Sequence, residues 1–123
     1  MHKSERYYTE SHEWLEAEGL TGTVGITEFA KNELGEIVHI ELPSIGSLVQ
    51  AGKEVCVLES TKAAVDVYSP ASGEIIAVNE MLRVNPAALK EQDEWLFKIN
   101  LSHPREIENL LRETQYFDKV THS

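Results

Sequence analysis

Two apolar runs meeting at a polar knuckle constrain this 123-residue chain more than any other feature. Val55, Val57 and Leu58 lead in, β-branched or aliphatic as a buried strand requires. Ala63, Val65 and Val67 lead out, alternating with Ala64, Asp66 and Tyr68 in the period-two pattern of a half-buried strand. Together they predict an antiparallel hairpin with Lys62 near its turn. Such a hairpin holds the amine in water and makes its methylene stem a short tether. Most lysines on loops are solvated charges and nothing more. The other reading is an acceptor for an acyl cofactor. Small neighbours (Ser60, Thr61, Ala63, Ala64) leave room for a modifying enzyme. Lys62 is also the only cation between Lys53 and Arg83, with Glu59 and Asp66 flanking it. Spacing alone does not choose between the two readings.

One pattern occurs twice. Gly35-Glu36-Ile37-Val38-His39-Ile40 and Gly73-Glu74-Ile75-Ile76-Ala77-Val78 match closely, and an apolar strand follows each, over 55–58 and over 95–99. The knuckle lies between the halves. Two similar units around a turn predict a quasi-two-fold β-sandwich in which each half completes the other's core. A coincidence of β-rich hexamers is the competing explanation.

The remaining elements follow from local chemistry. Tyr7-Tyr8-Thr9 leads into a strand over 11–16, Gly19 turns the chain, and 21–26 returns; glycines inside that strand predict a bulge or close backbone approach. Thr27 is suited to cap a short helix over 28–34, with Glu28 in its first turn and Gly35 closing it. Phe29 and Leu34 are assigned to the core. Strands over 35–40 and 47–51 precede the hairpin. The turn Ser69-Pro70-Ala71-Ser72-Gly73 precedes a strand over 73–78. Asn85-Pro86 starts a helical turn through Leu89. The closing strand over 95–99 is expected to put Trp95, Phe97 and Ile99 on one face. Pro104 opens a last helix with Ile107, Leu110 and Leu111 as its stripe, and the tail from Tyr116 to Ser123 is expected to be loosely held.

Composition excludes several functions. Eleven basic against twenty-one acidic residues give a net charge of −10, the wrong sign for phosphate contacts, so nucleic-acid binding is not expected. No apolar run approaches the ~20 residues of a membrane span, and the opening residues lack a signal peptide's apolar stretch. Cys56 is alone, so no internal disulfide forms. Five histidines (His2, His12, His39, His103, His122) lack metal-ligand spacing, and no phosphate loop or nucleophile elbow is present. An enzyme is not expected. One domain over 1–123 and an acidic monomer are.

The stretch from Glu59 to Ile75 resembles the lipoyl-attachment hairpin of the glycine cleavage H-protein family. Biotin carriers place methionines beside the lysine, where this chain has Thr61 and Ala63. The dehydrogenase lipoyl domains place an aspartate before it. Ser11-His12-Glu13-Trp14, Thr23-Val24-Gly25-Ile26-Thr27, Leu34-Gly35-Glu36-Ile37-Val38, Ile40-Glu41-Leu42-Pro43, Asp66-Val67-Tyr68-Ser69-Pro70, Val78-Asn79-Glu80 and Trp95-Leu96-Phe97-Lys98-Ile99 extend the likeness in family order.

The resemblance implies a mostly β fold, the flattened barrel-sandwich hybrid of lipoyl and biotinyl carriers, with short helices including one at the C-terminus. It implies lipoate in amide linkage to Lys62, on a hairpin whose Glu59, Ser60, Thr61 and Ala63 frame the attachment. The arm would take an aminomethyl group from the pyridoxal-phosphate glycine decarboxylase to the aminomethyltransferase, and dihydrolipoamide dehydrogenase would reoxidise it. A lipoyl ligase or transferase would load it. An acidic groove with Glu13 and Asp66 would hold the loaded arm. The compartment would be the bacterial cytoplasm, or the mitochondrial matrix of a eukaryote. Relatives often carry a histidine where Glu33 stands, and a glycine-containing loop where this chain has 87–94. An H-like lipoyl relay and an unmodified β interaction module are the alternatives.

Overall fold

The structure, a computed structural model, describes residues 5–121; His2, His122 and the opening residues of the chain lie outside them. β1 (Arg6–Tyr8), β2 (Glu13–Glu18) and β3 (Thr21–Ile26) form an antiparallel meander. Helix α1 (Glu28–Glu33) follows, and then β4 (Ile37–Glu41), the two-residue β5 (Leu48–Val49), β6 (Glu54–Ser60), β7 (Ala64–Tyr68) and β8 (Gly73–Val78). Short helices α2 (Met81–Val84) and α3 (Ala88–Glu91) precede β9 (Phe97–Leu101). A 3-10 helix (Pro104–Asn109) and α4 (Glu113–Thr121) end the described chain.

These strands make two sheets that do not close into a barrel. Six strands run in the order β1-β2-β3-β9-β8-β5, and three in the order β4-β6-β7. The expected alternation is what lets the sheets share one core. Ile37, Ile40, Cys56, Leu58 and Val67 from the small sheet meet Leu15, Val24, Ile75, Phe97 and Ile99 from the large one, all buried. The repeated hexamer is a structural repeat as well. β4 pairs with β6 and β8 with β9, and each ladder skips one residue at the same place, Val38 in one and Ile76 in the other. Those two side chains lie outside, while Ile37, Ile40, Ile75 and Val78 are buried.

Several expectations are corrected. The tail is not loose over its described residues, up to Thr121; His122 and Ser123 lie outside them. α4 packs on the outer face of the large sheet, where Tyr116 is 1% exposed in a cluster with Tyr8 and Trp14. Burying rings of that size stabilises by roughly 1.5–3 kcal/mol each, enough to fix a short helix. The helix from Pro104 is a 3-10 helix; Ile107 and Leu110 pack against the core as expected, but Leu111 lies beyond it and bridges to Tyr8. Trp95 precedes β9 and joins the tyrosine cluster, so it does not share a face with Phe97 and Ile99. Pro86 does start a helical turn through Leu89 as expected, the Ala88 amide donating to the Asn85 carbonyl at 3.1 Å and the Leu89 amide to the Pro86 carbonyl at 3.2 Å, and α3 continues it. Thr27 caps α1 as expected, accepting from the Ala30 amide at 3.3 Å, but Leu34, in extended conformation, ends the helix. Gly35 has a different task, described below. Within β3, Gly25 does meet a close neighbour: the Trp14 ring occupies the space where a Cβ would stand.

The segment over 87–94 locks α1 in place. Lys90 donates to the Leu34 carbonyl at 2.9 Å. Asp93 takes the buried Lys31 ammonium at 3.2 Å and the Arg6 guanidinium at 2.9 Å. Burial raises the Asp93 pKa, but these two cations outweigh it and hold the carboxyl below its ordinary range.

Candidate functional site

The knuckle owes its shape to one hydroxyl. Ser60 Oγ accepts from the Lys62 and Ala63 amides, each at 3.2 Å, and donates to the Ala63 carbonyl at 3.1 Å. The Ser60 amide closes the turn onto the same carbonyl at 2.8 Å. Such local bonding is what serine does well in tight turns. A further bond ties the tip to the loop after α1: the Thr61 amide donates to the Glu36 carbonyl at 2.9 Å. Gly35 makes that seat possible. A Cβ there would stand 2.5 Å from Thr61 Oγ1 and 3.1 Å from Lys62 Cγ. Lys62 rests its stem on that bare backbone. It is exposed, and its amine has no hydrogen bond or ion pair among the described residues. Glu59 and Ala63 are exposed beside it.

A groove of about 420 Å³ opens between α1, β2 and β7, next to this seat. Leu58 and Ile26 form its floor, and His12, Phe29, Glu33 and Val65 rise along its sides. Leu34, adjacent to Gly35, also lines it, so lysine stem and groove adjoin. Two larger cavities, of about 720 and 710 Å³, share no lining residue with the groove or the knuckle. The smaller groove is therefore the one placed to matter.

The two groove acids sit differently from each other. Glu13 is buried under the groove, and its carboxylate is already committed. Oε1 accepts from Thr9 and from Ser11 at 2.6 Å, and Oε2 accepts from the Tyr68 amide at 3.1 Å. Burial pushes its pKa up, and the bonds from Ser11, Thr9 and Tyr68 only partly offset that. It is not a solvent-facing strand residue. Asp66 borders the groove from β7 and is exposed. Its strand register pairs it with Val57, while Val65 pairs with buried Leu58 and Val67 with buried Cys56. Alternation thus sends the Asp66 side chain to the opposite face from Val65.

Three residues of this region escaped the sequence reading. Phe29, assigned to the core, lines the groove with its ring centroid 4.5 Å from that of His12. His12, one scattered histidine among five, has a left-handed backbone (φ 76°) and a ring in the groove wall. Burial pulls its pKa down, and Glu33 pulls partly back. Tyr116, assigned to a loose tail, holds His12 Nδ1 at 2.8 Å. No local pattern announces any of them, because each depends on partners far away in the chain.

Comparison with known proteins gives the family and supports the fold. The family described as Glycine cleavage H-protein matches residues 6–123. Glycine cleavage system H proteins of Parvibaculum lavamentivorans (42% identical, covering 92% of this chain and 93% of the relative) and Salmonella arizonae (48%, covering 92% and 91%) are similar along nearly their whole length. The relative from Thermotoga maritima is 45% identical over 89% of this chain and 90% of its own. The crystal structure of a glycine cleavage system H protein from Mycobacterium marinum superposes with a TM-score of 0.86 at 32% identity, covering 98% of this chain and 99% of that one.

Proposed function

The chain belongs to the glycine cleavage H-protein family, and on that premise we propose that Lys62 carries lipoate in amide linkage and that the groove beside it receives the arm. The protein is a lipoyl carrier of the glycine cleavage system and works with that system's enzymes. The finer assignments are our reading. It collects an aminomethyl group at the pyridoxal-phosphate glycine decarboxylase, delivers it at the aminomethyltransferase, and is reoxidised by dihydrolipoamide dehydrogenase. A lipoyl ligase or transferase loads it, in the cytoplasm of a bacterium, and the protein itself catalyses none of these steps. The observation that carries the reading is the unpaired Lys62 amine on a fixed knuckle beside an apolar-floored groove.

Each residue has a task under this reading. Ser60 and Gly35 hold the knuckle, so the root of the tether is fixed while its end moves. A tether of this kind presents its cargo to several partners at high effective concentration. Bound at Lys62, lipoate supplies a strained disulfide that opens to a thiol able to hold a one-carbon amine. Leu58, Phe29 and Val65 shield that end from water. Glu13, with Glu33 at the rim, sets negative charge around it, which favours a protonated amine; Asp66 adds to that charge only from the border of the groove, its side chain on the other face of β7. The relay alternative has no observation in its favour.

Intact mass is the test. Co-expression with a lipoyl ligase adds one lipoyl group to the wild type and none to Lys62→Arg. No gain on the wild type, or a gain on the variant, overturns the attachment site. Lipoylated protein supplied to the three partner enzymes supports glycine-dependent release of carbon dioxide; its absence overturns the pathway.

A further inference from the structure

The Tyr116 hydroxyl sits between both walls of the groove. It lies 2.8 Å from His12 Nδ1, on the β2 side, and 2.7 Å from Thr27 Oγ1, on the α1 side. Thr27 is the residue that caps α1, and α1 brings Phe29, Ala30 and Glu33 to the groove. His12 contacts Phe29 in turn, at 4.5 Å between centroids. Behind this contact, the Tyr116 ring stacks on Tyr8 at 4.8 Å and an interplanar angle of 12°. Tyr116 does not itself line the groove.

We propose that Tyr116 is a positioning residue for the arm groove: one hydroxyl of the C-terminal helix fixes His12 and the cap of α1 together, and so sets the shape that the arm meets. The inference rests on the lipoyl reading for its purpose, although its geometry stands without it. Proton bookkeeping makes the coupling specific. A hydroxyl has one hydrogen. If Tyr116 donates to His12 Nδ1, it accepts from Thr27; if His12 carries the Nδ1 proton, Tyr116 accepts it and donates to Thr27. The state of the imidazole and the bonding of the α1 cap are thus read by the same atom. Other charged or titratable groups near the ring are Glu33, Glu13 and Asp66 along the groove, and the Glu10–Lys119 pair behind it. The backbone at His12 adds to the argument. A left-handed conformation at a residue other than glycine is held by its surroundings, and asparagine tolerates it best.

The test uses the whole chain, first without lipoate. Tyr116→Phe keeps the ring on Tyr8 and removes only the hydroxyl. Its expected signature is a change in the side-chain nitrogen shifts and titration of His12, together with movement of the Phe29 and Val65 resonances. His12→Asn keeps the backbone and removes the imidazole. In the double variant the changes at Phe29 and Val65 should fall well short of the sum of the single ones, because both act through one contact. In lipoylated protein, Tyr116→Phe should lose the glycine-derived cargo faster by on the order of fivefold, about one net hydrogen bond, while Lys62 is lipoylated at the wild-type rate. Unmoved His12 and groove resonances in Tyr116→Phe, or fully additive changes in the double variant, overturn the proposal. Equal cargo retention in Tyr116→Phe and wild type does so too. A chain whose Lys62 takes no lipoate at all sinks the functional reading instead, and leaves the resonance test intact.

Discussion

Gly35 to Ile40 and Gly73 to Val78 match in sequence, fold alike over their last four residues and serve opposite ends. In the first half Ile37 pairs with Ser60, His39 with Glu59 and Ile40 with Leu58. In the second Ile75 pairs with Ile99, Ala77 with Lys98 and Val78 with Phe97. The two registers align Ser60 with Ile99, and hence Thr61 with Asn100 and Lys62 with Leu101. At that last position the halves diverge. Leu101 pairs with Gly73 and is 4% exposed, inside the core. Lys62 rests on Gly35 and is exposed. One half continues its strand, while the other turns at Ser60 and lifts its residue into solvent. A carrier site here is a core position turned outward by a serine-built turn.

Exchanging the two side-chain types should break this comparison most severely. Leu101→Lys places an ammonium in the buried cluster that holds Ile99, Ile75 and Leu15. The expected loss is above about 3 kcal/mol, so chemical denaturation should find little folded protein. Lys62→Leu, at the matching position, should leave the denaturation midpoint within experimental scatter of wild type, because the amine makes no bond to lose. It should abolish lipoylation completely. If Leu101→Lys folded normally, the two positions would not differ in burial as described.

The glycines sharpen the contrast at a smaller scale. A methyl group on Gly73 would come within 2.1 Å of the Asn100 carbonyl oxygen, which is backbone and cannot rotate away. Gly73→Ala should therefore cost about 3 kcal/mol, the upper end for overpacking. The nearest atoms to a methyl group on Gly35 belong to the side chains of Thr61 and Lys62, which can move. Gly35→Ala should change stability by less than about 1 kcal/mol, since it also restricts the unfolded chain. Its effect should appear in lipoylation, slowed on the order of tenfold by a displaced lysine. Equal stability losses in the two variants would mean that the knuckle is as rigid as the core.

The sequence reading caught what depends on near neighbours. Alternation around the knuckle, the Thr27 cap and the repeated hexamer are all visible within a few residues of each other. It missed what depends on distant partners. His12 and Tyr116 are 104 residues apart, and Thr27 and Tyr116 are 89 apart. Nothing near Tyr116 says that it will be buried, because a polar nine-residue helix becomes stable only once Tyr8 and Trp14 offer a surface. Glu13 was picked out as a groove acid through the family resemblance, but its burial is the same case. An acid on a strand reads as solvent-facing until the loop carrying Thr9 and Ser11 folds over it. Asp66 was legible as an acid beside Lys62, and the alternation already set it on the opposite face of β7 from Val65 and Val67.

The smallest expected effect concerns the bulge common to both halves. Val38 is 53% exposed and Ile76 40%, each skipped by its ladder. A bulge leaves its extra residue outside the pairing, so these side chains do not hold the register. The buried residues on either side do, Ile37 and Ile40 in one half and Ile75 and Val78 in the other. Threonine keeps the β-branched shape that strands favour while trading a methyl group of Val38, or the ethyl arm of Ile76, for a hydroxyl in water. Val38→Thr and Ile76→Thr should each stay within about 0.5 kcal/mol of wild type, measured by urea denaturation with an unchanged slope. A larger loss at one site alone would locate a packing role there and separate the halves further. Larger losses at both would place the register in the outward side chains, and the likeness of the hexamers would then lie in composition rather than in how their backbones bend.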